Sequence, residues 1–434
     1  MEANTAGTPG LGAEYTGPGR HHHTLAPQEI AVGVVIDRAA EFFDFFVFAI
    51  ASVLVFPRLV FAWLDPVDAT FASFAIFALA FLIRPLGTVL FTTIDRDHGR
   101  GVKLAISLFL LGTATAAIAF LPGYESIGLA APVVLAICRV GQGLAMGGDW
   151  DGLAPLLSVN APGEKRGWYA MIPQLGAPLG LLVASGLFAY FLFSLNTADF
   201  YDWGWRYPFF VAFAINVVAL FARLRIAVTP EYQSQFRNRE LSPAPVGRTL
   251  RHEWRMIIAG SFVPLASFAL FHMVTVFPLS WVYLFTRQSP ARFLVIEIIG
   301  AGVFAVFICL SGVLADRLGR KQLLGVTAGA IAAFSGFAPQ LLNAGYIGTI
   351  VFVLLGFILL GLSFGQASGA VASNFSPGYR YTASALTADL AWLFGAGFAP
   401  LLALALAVHF GLVSSGAYLL SGAICTLVAL VVRK

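Results

Sequence analysis

Charge is what this sequence has least of. Only 11% of its 434 residues are Asp, Glu, Lys or Arg, against about 25% in soluble domains, while 59% are apolar and 14% aromatic. With a mean hydropathy of +0.83, the chain cannot be a string of soluble domains. Cysteine is nearly missing as well. Cys138, Cys309 and Cys425 each stand alone in an apolar run, with no CxxC or Cys/His spacing, so they are read as packing residues and no metal site is expected. Nucleotide and protease signatures are missing too: neither GxxxxGK[ST] nor HExxH occurs. The stretch Gly300-Ala301-Gly302-Val303-Phe304-Ala305 matches GxGxxA, but it lies within an apolar run, with no preceding strand and no acidic ribose partner. No enzyme and no cofactor are expected. The formal charge of +4 and pI near 9.0 do not indicate nucleic acid, because the basic residues are scattered between apolar runs instead of forming one face.

What the chain has in abundance is membrane-length apolar sequence. Stretches able to span about 30 Å of hydrocarbon fall near 30–56, 69–94, 104–121, 127–157, 168–195, 207–224, 255–285, 293–314, 323–342, 345–372, 382–408 and 412–432. Residues 1–28, rich in Gly, Pro and Thr and without an apolar h-region, read as a disordered cytoplasmic tail. Of the 26 basic residues, Arg38, Arg84 and Arg139 fall inside apolar runs. Arg58, Arg206, Arg287 and Arg292 fall in the loops of one side, and all the others lie on the opposite side. The positive-inside rule then places both termini in the cytoplasm. A basic, polar segment between helices six and seven divides the chain into bundles 29–224 and 254–434, joined by a cytoplasmic loop 225–253.

The two halves carry related loops. Between helices eight and nine stands Gly312-Val313-Leu314-Ala315-Asp316-Arg317-Leu318-Gly319-Arg320-Lys321, which fits GxLxDRxGRK and resembles the signature loop of the major facilitator superfamily. Its counterpart between helices two and three keeps Gly99 and Arg100, but Arg96 takes the usual aspartate place, a degraded copy. Such a loop lets a carboxylate meet a neighbouring helix N-terminus and nearby guanidinium groups, an ionic latch on the cytoplasmic side. Asp316, Arg317, Gly319, Arg320, Gly99 and Arg100 are therefore the candidate gating residues. Further stretches resemble the metabolite:H+ symporter family: Glu41 to Phe45, Arg84 to Gly87, Arg139 to Gly143, Gly147 to Trp150, Gln174 to Gly180, Trp203 to Phe209 and Arg380 to Thr382. Asp149 stands where that family usually has glutamate, and Asp389 where asparagine is common.

Helix one is unusual on its own terms. Asp37, Glu41 and Asp44 follow i, i+4, i+7 spacing, so the three carboxylates share a sector about 60° wide. Each costs at least about 2.5 kcal/mol near a bilayer centre, so the stripe must face protein or water. Arg38 is read as neutralising Asp37 near the interface, and the deeper Asp44 as functional. In helix four Arg139 lies mid-run, with Gln142 and Asp149 continuing down the same general side. A guanidinium at that depth needs a carboxylate or an anion. Asp44 with Arg139 resembles the first-helix aspartate and fourth-helix arginine of proton-coupled sugar porters, which implies proton coupling through Asp44 and Arg139 with Glu41 as accessory. Arg84 is read as snorkelling to the surface and Glu297 as lying in the outer mouth beside Arg292. His272 is either a carboxylate contact or a hydrogen-bond partner of a neighbouring helix.

The expectation is an all-α membrane protein of twelve helices in two six-helix halves, a monomer in the bacterial inner membrane. The resemblance implies a symporter that imports a small organic anion on the proton gradient by alternating access. Arg139, Gln142, Asp149, His272 and Asp389 are the candidate substrate contacts. A zwitterionic osmolyte such as betaine or proline is the alternative substrate, and a sensor or channel the alternative class.

Overall fold

The computed structural model of the protein describes residues 27–149, 157, 161–227, 242–367, 375–376 and 378–432. The expected tail, the middle of the central loop and the predicted ends of helices four and ten lie largely outside these residues. Among the described residues there is no strand, and twelve long helices follow one another. In the first half they are α1 (Pro27–Leu54), α2 (Pro66–His98), α3 (Arg100–Ala119), α4 (Ala130–Gly148), α5 (Gly163–Ser194) and α6 (Arg206–Ala227). In the second they are α7 (in two parts, Val246–Phe262 and Leu265–Phe285), α8 (Pro290–Leu318), α9 (Arg320–Asn343), α10 (Gly345–Ala367), α11 (Arg380–Phe410) and α12 (Ser415–Val432). In hydrocarbon a helix satisfies its own backbone groups, which is why sequence this apolar folds into nothing else.

Eleven of these helices are long and apolar enough to cross a membrane. The exception is α1, which has the length at 28 residues but carries Asp37, Arg38, Glu41 and Asp44 within eight positions. Helix seven begins earlier than its apolar run. Residues 246–253 of its first part lie within the segment expected to be loop, because Arg248, Arg251, His252 and Arg255 mask an amphipathic helix that buries Thr249, Glu253, Ile257 and Gly260. Pro264 then breaks it.

Small residues set how closely the helices approach. In α4, Gly143 and Gly147 lie against the backbone of α2: a Cβ at Gly143 would stand 2.7 Å from the carbonyl oxygen of Ala80, and one at Gly147 would collide with Arg84 and Thr88. Gly176 and Gly180 of α5 meet the backbone of α1 at Arg38–Ala39 and Phe42–Phe43 in the same way. Backbone contact of this kind is how membrane helices pack without a hydrophobic driving force. It also brings Arg84, Arg139 and the acidic stripe of α1 into one interior.

Gly99 and Gly319 turn α2 into α3 and α8 into α9 at a single residue, with φ of 86° and 89°. Glycine alone adopts that geometry without strain, and its recurrence at both sites marks the duplication of the halves. The halves meet along three seams: α5 with α8, α2 with α11, and α1 with α7.

Gly147→Val should lower the melting temperature of the purified protein by several degrees, since overpacking costs about 1–3 kcal/mol even where side chains can yield, and here backbone is in the way. Gly186→Val is the control, because a Cβ there meets nothing within 4 Å. Equal melting of the two variants would contradict this packing.

Candidate functional site

The centre of the first half holds a buried polar chain. Arg139 of α4, completely shielded from solvent, donates from Nη1 to Gln142 Oε1 at 3.0 Å, and from Nε and Nη2 to the carbonyl of Phe77 at 3.3 and 3.2 Å. Its guanidinium lies 3.9 Å from the ring centroid of Phe48. Gln142 in turn donates from Nε2 to Thr115 Oγ1 at 2.8 Å and to Asp44 Oδ2 at 3.5 Å. Asp44 accepts from Thr115 at 2.7 Å and from Asn216 at 3.5 Å. The expected direct pair between Asp44 and Arg139 is therefore absent. Gln142 fills the space between them and carries the interaction through its amide dipole. Asp149 is buried at the C-terminal end of α4, about 10 Å along the helix from Gln142.

A second network crosses between the halves. Arg84 does not snorkel. It is buried, donates from Nε to Asp389 Oδ1 at 2.9 Å, and lies 3.9 Å from Glu41, which also pairs with Arg38. Thr88 donates to the other oxygen of Asp389. Two side chains one turn apart on α2 thus hold a carboxylate of the second half by a fork of hydrogen bonds. The snorkelling expectation fails because close packing of α4 on α2 at Gly143 and Gly147 turns this face of α2 inward.

At the end that carries the signature loops, each loop grips the start of a helix in the other half. Asp316 accepts from the backbone N–H of Gly167 at 2.6 Å and of Trp168 at 3.1 Å, in the first turns of α5. Arg320 reaches the carbonyl of Arg166 and Gln366 Oε1, each at 3.3 Å, and Gln366 donates to the carbonyl of Gly167 at 3.0 Å. Arg317 is exposed and stands outside these contacts. The supposedly degraded loop does the equivalent with a different residue. Asp95, one position before Arg96, is buried and accepts from Arg100 at 3.2 Å and from the hydroxyl of Tyr381, at the start of α11, at 3.2 Å. Lys103, also buried, donates to the Tyr381 hydroxyl at 2.8 Å and lies 3.7 Å from Asp95. The exposed Arg96 pairs with Asp97 instead.

Nearer the centre, His272 of α7 makes no hydrogen bond to a neighbouring helix among the described residues. It is fully buried, both ring nitrogens lack a hydrogen-bond partner, and the rings of Phe45, Phe77 and Phe271 stand 5.2 to 5.4 Å from it. Phe81 and Trp392 belong to the same aromatic collar, where α1, α2, α7 and α11 converge. Glu297 is not in an outer mouth beside Arg292. It is 1% exposed and faces α5, where Ser185 Oγ donates to its Oε2 at 3.2 Å.

Thr115, Asn216, Thr88, Lys103 and Asp95 belong to these networks and were not singled out from the sequence. Small hydroxyl and amide residues in apolar runs are ordinary, and only their convergence on a carboxylate distinguishes them. Asp95 was within reach, since a carboxylate one residue upstream lies on the same helical end and is free to take over the contact.

The comparisons with known proteins agree with this architecture. The profile of the Major Facilitator Superfamily matches residues 39–393. The Escherichia coli K12 inner membrane metabolite transport protein YhjE is 36% identical over 93% of each chain. The shikimate transporter of the same organism is 31% identical over 93% of this chain and 94% of its own. Its proline/betaine transporter is 29% identical over 85% of this chain and 75% of its own. Among solved structures, the proton:xylose symporter XylE superposes with a TM-score of 0.68 at 17% identity, covering 93% of this chain and 94% of that one. With this identity and coverage, the chain belongs to the major facilitator superfamily, as a multi-pass inner-membrane transporter and not an enzyme.

Proposed function

We propose that the protein is a proton-coupled symporter that imports a small organic acid by alternating access, working as a monomer with the proton gradient as its only energy source. The observation that carries this reading is the buried chain from Asp44 through Gln142 to Arg139, a carboxylate and a guanidinium one amide apart inside a membrane domain. Neither charge is tolerable there without a partner, so any event that neutralises one changes what the other must bind. A proton on Asp44 removes the pull exerted through Gln142 and frees Arg139 for a substrate carboxylate, whose planar pair of oxygens suits the guanidinium fork. Release of the substrate returns Arg139 to Gln142 and makes ionised Asp44 favourable again. The 31% identity to a shikimate transporter supports an acid as cargo.

The loop end faces the cytoplasm in this reading, in keeping with the distribution of Lys and Arg. Asp316 with Arg320 and Asp95 with Lys103 then latch the inner side, and the Arg84–Asp389 pair forms a second barrier deeper in. A zwitterion such as betaine or proline is the alternative cargo. The aromatic collar around His272 favours it, since ring faces hold quaternary ammonium groups. Proline/betaine transporters among the relatives are consistent with that reading.

A thermal-shift screen of organic acids and betaines against the purified protein separates the two, because a ligand at a hundred times its Kd stabilises by about 2.7 kcal/mol. An acid should raise the melting temperature of wild type and fail to raise that of Arg139→Ala. Arg139→Lys should recover little, since one ammonium cannot serve Gln142 and Phe77 together. Stabilisation of both variants by the same acid would remove Arg139 from the site.

The latch has its own expected outcome. Alkylation of a cysteine placed at Ser384, buried in the inner half of α11, should accelerate several-fold in Asp316→Asn and further in the double variant with Asp95→Asn. Unchanged labelling, with uptake intact, would reduce both loops to topological anchors.

A further inference from the structure

No ion pair with a cation answers the buried Glu297 among the described residues. The carboxyl lies in the α5–α8 seam, about 10 Å in from the outer end of α8, with one oxygen on Ser185 and the other, Oε1, without any partner. The face it shares with Gly300, Ala301 and Phe304 is buried throughout, and Gly300 lies against Val353 and Phe357 of α10. The spans packed on it offer little charge. Neither α5 beyond residue 176 nor α10 contains Asp, Glu, Lys or Arg, and their tyrosines, Tyr190 and Tyr346, are exposed. The titratable groups of the second part of α7 are His272, enclosed by the aromatic collar, and Tyr283, which faces Tyr201. Arg166, Tyr169, Arg320 and Lys321, on the parts of α5 and α9 that touch α8, lie at its far end together with Asp316 and Arg317. On α8 itself Arg292 makes no ion pair with Glu297 among the described residues.

We infer that Glu297 is a second proton-binding site, which controls the closing of the outer seam between α5 and α8. The inference rests on the alternating-access reading given above. An ionised carboxylate in this dry seam has only Ser185 to replace its water, so the closed seam requires the neutral acid. With the proton lost, the seam must part to admit water. With the proton regained at Oε1 from the outer solution, Ser185 and Glu297 can pack again. Loading from the acidic side therefore favours closure, the order that an inward proton-coupled cycle needs.

The test uses protons as the only ligand. In full-length protein whose Cys138, Cys309 and Cys425 are replaced by alanine, a cysteine is placed at Ala189, one turn beyond Ser185 and buried in the same seam. Its alkylation should rise several-fold more as the pH is raised than formation of the reactive thiolate alone dictates, and that excess should vanish in Glu297→Gln, which keeps the neutral form at every pH. Infrared spectra should show a carbonyl stretch of a protonated carboxyl that is missing from Glu297→Gln, persists in Asp44→Asn and moves in Ser185→Ala. Labelling that does not depend on pH, or that rises equally in Glu297→Gln, would overturn the inference. Should Glu297→Gln fail to fold, an unmoved band in Ser185→Ala would overturn it instead. Neither readout requires a substrate or net transport, so failure here leaves proton-coupled uptake standing, and absence of that uptake would show separately.

Discussion

A charge inside a membrane domain must be answered by the protein itself, and that single requirement organises the interior of this chain. Arg139 is the sharpest case. It has no exposed surface, lies over the ring of Phe48, and uses its donors on a backbone carbonyl and one glutamine. Those partners are neutral, so the positive charge is satisfied geometrically while its electrostatic complement, Asp44, stays one residue away behind Gln142. An arrangement that keeps opposite charges close without joining them is poorly suited to stability, since burying unpaired ions is expensive. It suits a cycle in which each charge changes partner.

The remaining charges form a ladder along the seams between the halves. At the loop end, Asp316 and Asp95 hold the first turns of α5 and α11. One layer in, Arg84 ties Asp389 to the first half and touches Glu41. Toward the opposite end Ser185 and Glu297 face each other across the α5–α8 seam, and the hydroxyls of Tyr201 and Tyr283 meet at 3.5 Å. Among the described residues the ion pairs and charge-assisted bonds between the halves are thus concentrated toward the loop end, while hydrogen bonds from neutral hydroxyl donors mark the other. Opening either end means exchanging these contacts for water. The two ends therefore respond differently to protonation: paired carboxylates lose attraction when they take a proton, whereas Glu297 becomes easier to bury.

Much of this was legible in the sequence. The helices announced themselves because twenty apolar residues in a row have few other fates, and the loop after α8 was specific enough to fix its neighbours. The acidic stripe of α1 and the mid-run arginine of α4 stood out against an apolar background. Partner choice did not stand out. The sequence suggested that Arg139 meets Asp44 and that Arg84 snorkels, but which carboxylate each meets depends on glycines in α4 and α5 that set helix rotation and distance. Asp95 was passed over because motif matching fixes a position, whereas a helix end tolerates a shift of one residue as long as a carboxylate still reaches the facing helix. Glu297 was misjudged because a charge near a predicted helix end looks solvent-facing until the adjoining helix is in place.

The central claim is that Asp44 carries the coupled proton, and transport by Asp44→Asn in proteoliposomes tests it most directly. Asparagine mimics the protonated side chain and can still accept from Thr115, so substrate sites are left in place. One proton moved down 100 mV supplies about 2.3 kcal/mol, enough for roughly fifty-fold accumulation. The variant is predicted to lose accumulation under an imposed proton gradient while retaining exchange of internal for external substrate at a rate near wild type. Accumulation at the wild-type level in Asp44→Asn would contradict the account and place the coupling elsewhere.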